Sequence, residues 1–310
     1  MAGIVRGKLV IAGGSYWQGN RKEWTAQVDV FDPLSNVWNS AVALPEPRSD
    51  AACATLDDAL FIFGGWAGDI ARRDAMVFRG GQWHPLPDAA LPAPRVFSTA
   101  VVSGSSIYLA CGLSRAGDYL SATNTLWVWN SKLRKNGWKV LPPLPGPGRL
   151  AHAVVELDGK IYVFGGATGQ GTSVRNLDDA YQFDIKTKKW ARLPTLPFTV
   201  EAWWAVAVHG RILLLGGLQG QDNNFTTSIY QFDPQSKALR KVGALPHALC
   251  DSKFFLLGNN LIGAGGEAGF HVRAPWTLET SLPSAFWAPP PLSGGDQGIE
   301  HFNSARQAQE

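Results

Sequence analysis

A Gly pair at the end of a short apolar run recurs through almost the whole chain, and no other feature limits the fold so tightly. The copies are LVIAGG (Leu9 to Gly14), LFIFGG (Leu60 to Gly65), IYVFGG (Ile161 to Gly166), LLLGG (Leu213 to Gly217) and LIGAGG (Leu261 to Gly266). A degenerate copy, IYLACG, ends at Cys111 and Gly112. The step between copies is about 50 residues, a period at which one supersecondary unit stacks on the next. Downstream of the pair comes an alternating strand such as VDVFDP (Val28 to Pro33), AYQFD (Ala180 to Asp184) or IYQFDP (Ile229 to Pro234). A turn and a Trp follow (Trp38, Trp83, Trp138 and Trp190), then a Pro-rich link such as ALPEPR or LPAPR. Period-two alternation punctuated by Gly, Pro and Asp turns predicts four short antiparallel strands per unit. The Gly pair suits a strand end where backbone passes close to a neighbour or takes positive φ.

Six such units make an all-β chain whose period and strand count are those of kelch repeats in a β-propeller. The expected architecture is a six-bladed kelch β-propeller over residues 1–288, followed by a Pro- and Gly-rich polar tail over 289–310. A length of 310 residues alone would suggest two domains. The repeats override that expectation, because no blade buries its own faces and the ring closes as one unit. FWAPPPL near the end resembles the WKVLPPL that closes the third unit, so Trp287 is expected to mark a degenerate fourth strand of the last blade. Met1 falls at or inside the first strand of the first blade, which leaves little chain there to complete the last one.

A net charge of +3 without any basic run argues against nucleic acid or an anionic membrane surface as a partner. No apolar stretch approaches the ~18 residues of a membrane-spanning helix. The start, MAGIVRGKLV, runs straight into the first blade without the apolar region of a signal peptide. Cys53, Cys111 and Cys250 fall in predicted strands at no metal-like spacing and are expected to be buried structural thiols. The expected setting is cytoplasmic and reducing; a leader missing from this sequence would make it periplasmic or secreted.

In a ring of blades, the loops after each Gly pair and the loops between blades fall on one face, because strands alternate in direction. The post-Gly loops are rich in polar and aromatic residues: SYWQGNRKEW, WAGDIARRD, LSRAGDYLSATN, ATGQGTSVRNLDD, LQGQDNNFTTS and EAGFHVRAP. The interblade loops place Arg48, Arg95 and Arg149 at one repeat position, with Glu201 nearby in the fifth unit. Arg forks with aromatic faces suit a polar, anionic small ligand. Repetition itself offers a second reading of the three arginines, as groups bonding neighbouring carbonyls or a blade Asp. Trp38, Trp83, Trp138 and Trp190 are read as packing between blades; Trp17, Trp24 and Trp66, on loops, are site candidates.

Glu267 breaks the pattern. It follows the last Gly pair directly, where other units carry Ser15, Trp66, Ala167 and Leu218. A carboxylate aimed at a narrow channel, with Arg273 on the same short loop, suits acid/base chemistry beside an anion anchor. A salt bridge that only shapes the loop is the competing reading. His271 lies between them as another group able to carry a proton.

The segment GGEAGFHVRAPWTLE (Gly265 to Glu279) resembles the GGE-x5-R loop of the bacterial N-acetylneuraminate (sialic acid) mutarotase family, six-bladed kelch propellers. GGSYWQGNRKEWTAQVDVFDP (Gly13 to Pro33) resembles that family's long loop carrying aromatic, Asn-Gly and Lys residues. Here the GGE blade comes last and the long-loop blade first, the order expected of a cyclically permuted branch. The resemblance implies a sugar anomerase whose catalytic pair maps onto Glu267 and Arg273, with Arg273 holding the substrate carboxylate. It implies a small-molecule acidic sugar as substrate, and no metal or cofactor, since one carboxylate can shuttle both protons of ring opening. Trp17, Asn20, Lys22, Trp24 and Trp66 are the implied binding residues. The Lys-Pro-Gly-Leu found between Glu and Arg in some relatives is replaced by Ala268-Gly269-Phe270-His271-Val272.

A non-catalytic binding module for a peptide or glycan is the alternative, since kelch propellers commonly grip a protein partner with this face; Glu267 with Arg273 would then hold a basic peptide. Copper radical oxidases of the kelch type need a Cys–Tyr cross-link and Tyr/His ligands. With the Cys residues in strands and the six His scattered, that option is poor.

Overall fold

The computed structural model describes residues 1–282 and the backbone of Asn303–Ala305. Among these residues, six four-stranded antiparallel sheets succeed one another along the chain. Blade 1 comprises Ala2–Val5, Lys8–Gln18, Arg21–Asp32 and Val37–Ser40; blade 2 comprises Ala52–Leu56, Ala59–Phe63, Ala75–Arg79 and Gln82–Pro85. Blade 3 is Thr99–Ser103, Ser106–Ala110, Leu126–Asn130 and Lys139–Leu141, and blade 4 is Ala153–Leu157, Lys160–Phe164, Ala180–Asp184 and Lys189–Arg192. Blade 5 is Trp204–Val208, Arg211–Leu215, Ser228–Phe232 and Leu239–Ala244, and blade 6 is Lys253–Leu257, Asn260–Ala264, Thr277–Ser281 and Asn303–Ala305. The first strands of successive blades adjoin one another, and that of blade 6 adjoins that of blade 1, so the propeller closes.

The core is a set of apolar layers between blades, as expected of sheets that cannot bury their own faces. Phe61 and Phe63 of blade 2 meet Trp127 and Trp129 of blade 3 in one layer, and equivalent layers lie between the other neighbours. Each fully buried side chain of this size contributes roughly 1.5–3 kcal/mol, and Phe63→Ala would cost roughly 3–5 kcal/mol. Where the ring meets itself, Leu9 and Phe31 of blade 1 pack on Ile262 and Ala264 of blade 6.

The four Trp residues read as packing groups do pack between blades, each fastening its blade to the preceding one. Trp83, Trp138 and Trp190 donate from Nε1 to the carbonyls of Val42, Ala89 and Pro142. Trp38 of blade 1 donates to Thr277 Oγ1 of blade 6 at 3.1 Å, carrying the same device across the junction of first and last blades. The strand that pairs with the outer edge of Thr277–Ser281 is Asn303–Ala305, so the segment read as a tail supplies a fourth strand. Trp287, expected in that role, lies outside the described residues.

The Gly pairs sit where backbone passes backbone. A Cβ on Gly65, at φ +87°, would come within 2.6 Å of the Ser49 carbonyl oxygen, closer than real Cβ atoms approach. At the degenerate copy Cys111 accepts φ +58°, a conformation that costs an L-residue roughly 1–2 kcal/mol. Cys53, Cys111 and Cys250 are all free thiols, and burial pushes Cys111 up to about 12. No described helix is long and apolar enough to cross a membrane.

Candidate functional site

The residue after each Gly pair is fixed by backbone pairing to the segment that links the preceding blade. Ser49 pairs with Trp66, Val96 with Leu113, Leu150 with Ala167, and Cys250 with Glu267; Glu201 pairs with Leu218. Glu267 donates its N–H to Cys250 O at 2.8 Å and accepts from Cys250 N–H at 3.0 Å. Glu267–Gly269 then turns through Phe270 and His271 into Val272–Arg273, and Glu267 and Arg273 are direct cross-strand partners. The Glu-x5-Arg spacing therefore brings the two side chains together, with one irregularity in the register to absorb the odd residue.

Blade 1 departs from the others here. Its middle strands, Lys8–Gln18 and Arg21–Asp32, continue past the Gly pair as a hairpin with a register shift between Ala12 and Gly14. Ser15 faces Trp24 and Trp17 faces Lys22, so these four side chains share one face of the hairpin.

Among these loops lies a cavity of about 410 Å³, lined by residues of blades 1, 3, 5 and 6 and of the segments leading into blades 2 and 4. This size falls within the ~300–1,000 Å³ of small-molecule sites. Its floor is built from one repeat position, the residue preceding or near the start of each inner strand. Asp50, Phe97, Ala151, Ala202 and Asp251 all line the cavity and all hold positive φ, between 51° and 56°. Backbone bonds tie these positions together: Phe97 N–H donates to Asp50 O, Ala202 N–H to Ala151 O and Asp251 N–H to Ala202 O. Left-handed backbone at non-Gly residues is sustained only where surroundings over-determine it. Here those backbone bonds between neighbouring units supply part of the constraint.

Charge is confined to one side of this floor. Blades 6 and 1 and the junction to blade 2 supply Asp251, Lys253, Glu267, Arg273, Lys22 and Asp50, whereas Phe97, Ala151 and Ala202 face them. Arg273 Nη1 donates to Glu267 Oε1 at 2.6 Å, and its Nη2 donates to Ser15 Oγ at 3.0 Å. The Glu267 side chain is one-fifth exposed. Burial raises its pKa above the ordinary carboxylate value, Arg273 opposes that rise, and the Asp251 charge adds to it.

The other residues singled out from sequence fall into two groups. Lys22 lines the cavity, 4.0 Å from Asp50 and 4.9 Å above the Trp66 ring. Trp66 lies behind it, donating from Nε1 to Asp50 Oδ2 at 2.6 Å and meeting Trp24 edge-on. Trp17 stacks on His271 at 3.7 Å, so the long hairpin clasps the Glu267 loop across the blade 6–blade 1 junction. Asn20 sits exposed in the hairpin turn, away from the cavity lining.

Arg48, Arg95, Arg149 and Glu201 require correction as ligand contacts: all four are buried and none lines the cavity. Arg48 donates to Gly64 O and Asp74 Oδ2, and Arg149 to Gly165 O and both oxygens of Asp179. Arg95 has no Asp at the equivalent place; it donates to Pro94 O and Thr125 Oγ1 and lies over Trp127 at 4.1 Å. Burial lowers its pKa to about 10. Strand pairing holds Glu201 against the blade 5 loop, where burial, with Asp251 adding, raises its pKa to about 7.

Three charged cavity residues escaped the sequence reading: Asp50, Asp251 and Lys253. Alignment of the units on their Gly pairs offered a signal, since the positions of Asp50 and Asp251 are Phe97, Ala151 and Ala202 elsewhere. A charged residue at a position that repetition makes apolar was the criterion that singled out Glu267.

The KLHDC2/KLHL20/DRC7 Kelch-repeats domain matches residues 98–295, and the Kelch motif matches residues 47–89. The chain belongs to the kelch-repeat family. Kelch-like protein terF of Aspergillus terreus is 25% identical over 250 residues, 74% of this kelch chain and 52% of its own. N-acetylneuraminate epimerase of Yersinia enterocolitica is 41% identical over 103 residues, 32% of this chain and 26% of the epimerase. The chain thus spans about half, or less, of these two relatives. The solved structure titled "Structure of YjhT" matches with a TM-score of 0.71 and 17% identity over 87% of this chain and 94% of that one, a likeness of fold. The kelch mutarotase resemblance seen in the sequence is thus accompanied by a local match to an N-acetylneuraminate epimerase within a shared propeller fold.

Proposed function

We propose that this kelch propeller is a sugar anomerase acting on N-acetylneuraminate or a related acidic sugar, with Glu267 as its proton shuttle. The observation that carries the reading is the Glu267–Arg273 pair, placed at a cavity of ligand size and unexplained by blade repetition. The local similarity to an N-acetylneuraminate epimerase supports the choice of substrate class.

Anomerisation opens and recloses the pyranose ring. Ionised Glu267 takes the anomeric hydroxyl proton, the C–O ring bond breaks as the carbonyl forms, and protonated Glu267 passes that proton to the ring oxygen. Reclosure on the other carbonyl face, with the protons returned, gives the other anomer. A carboxylate with its pKa raised by burial is a stronger base than a solvated one and lies nearer the pH at which it must both take and give a proton. Arg273 holds that carboxylate in place and limits the rise, keeping the ionised form accessible.

Proton NMR of freshly dissolved α- or β-N-acetylneuraminate, with and without the protein, tests the reading. Faster approach to the anomeric equilibrium is expected; an unchanged rate would overturn it. Binding of a protein partner is a second reading, favoured by exposed apolar residues at the tips of mouth loops: Ile70, Leu120, Phe270 and Val272. Relatives named as kelch-like proteins accord with it. Sugar-dependent line broadening without acceleration would favour a binder over an enzyme.

A further inference from the structure

Lys253 opens the inner strand of blade 6, opposite the residue that precedes the Gly pair, a place where the other five blades carry the side chains of Met1, Ala52, Thr99, Ala153 and Trp204. A charge there is as foreign to the repeat as Glu267 is after its Gly pair. Lys253 lines the cavity, with its ammonium 4.4 Å from the Trp204 ring centroid. The ring is itself held, since Trp204 Nε1 donates to Phe254 O. Among the described residues the ammonium has no carboxylate within 4 Å and no hydrogen-bond acceptor; Asp251 is close enough to feel its charge without pairing.

The other side-chain cations of the cavity are engaged, and burial lowers the pKa of the Met1 α-amine, which also lines it. Arg273 spends Nη1 on Glu267 and Nη2 on Ser15, and its Nε is buried without a partner. Lys22 sits by Asp50 and over Trp66. A carboxylate entering the cavity therefore meets one side-chain ammonium with all three donors free, already ordered by an aromatic face.

We propose that Lys253 is the anion anchor of this cavity and binds the ligand's carboxylate, while Arg273 serves Glu267. The proposal rests on the acidic-sugar reading and changes its geometry. In a 2-keto sugar acid the carboxylate is attached to the anomeric carbon, so anchoring it fixes the reacting centre. Anchor and proton shuttle then come from one blade: Lys253 at the start of its inner strand, Glu267 on the loop that follows its second.

The test compares N-acetylneuraminate with its neutral methyl ester by saturation-transfer NMR titration and anomerisation kinetics, on the wild type and on Lys253→Met, Lys253→Arg and Arg273→Met. The wild type should prefer the acid. Lys253→Met should erase that preference, weakening the acid on the order of tenfold to a hundredfold and leaving the ester unchanged, while Lys253→Arg restores it in part. Arg273→Met should lower kcat more than it raises KM. Thermal melting identifies any variant that fails to fold, and Lys253→Gln then replaces Lys253→Met. A preference that survives in Lys253→Met or Lys253→Gln and disappears in Arg273→Met overturns the proposal and leaves the sugar-acid reading standing. Binding of neither compound by the wild type overturns that reading, and the anchor with it.

Discussion

Two arginine–carboxylate pairs lie on the same face of this ring. Arg149 meets both oxygens of Asp179 at 2.7 and 2.9 Å, with its side chain fully buried. Arg273 meets one oxygen of Glu267 at 2.6 Å, with about a third of its side chain exposed toward the cavity. Chemistry does not separate them; repetition does. Arg149 has a counterpart in Arg48, two blades earlier, which likewise donates to a Gly carbonyl and pairs with one oxygen of Asp74. Glu267 has none in the other blades, and neither does Lys253. In a propeller, residues that recur hold the blades, and charged residues that interrupt the recurrence mark the place where something else is bound.

The largest expected effect on the structural side comes from breaking the recurrent pair. Arg149→Ala leaves Asp179 without its partner in a buried site and should cost roughly 3–5 kcal/mol in denaturant unfolding. A loss as small as that of an exposed ion pair would remove Arg149 from the scaffold. Glu201 sharpens the comparison through pH. Its pKa rises from 4.5 unfolded to about 7 folded, so the folded protein binds the proton more tightly. Stability referable to Glu201 is present below pH 4.5 and is lost as pH rises through about 7. Glu201→Gln should therefore stabilise the protein above pH 7 by up to about 3 kcal/mol relative to wild type, and scarcely at pH 4. An equal effect at both pH values would count against that placement. The smallest effect concerns ring closure. Trp38→Phe removes the donor to Thr277 and should cost about 1 kcal/mol. It should also speed amide exchange in blades 1 and 6 more than Trp190→Phe does, because no covalent link joins those two blades directly. Equal exchange in the two variants would show the junction to be no weaker than the rest.

The fold was legible because its signals are local and repeated: a Gly pair, an alternating strand and a Trp recur with a period that few architectures share. Glu267 and Arg273 were legible for the opposite reason, as departures within a repeat. Arg48, Arg95 and Arg149 were open to two readings because position on a loop says nothing about side-chain direction. Each turns into its own blade, toward a Gly carbonyl and an Asp, or toward a Thr and a Trp in the case of Arg95. Asp50, Asp251 and Lys253 were missed because their approach to one cavity depends on the ring closing, a relation between blades that no single unit encodes. The same holds for Trp17, whose partner His271 lies at the other end of the chain.

Glu267→Gln bears most directly on the claim that the interrupted repeat marks an active site. The substitution keeps shape and one hydrogen-bond acceptor for Arg273 while removing the base. With anomerisation of N-acetylneuraminate followed by proton NMR, acceleration by the wild type and a loss on the order of a hundredfold or more in the variant are expected, with unfolding unchanged. Acceleration retained by a folded Glu267→Gln would contradict that claim.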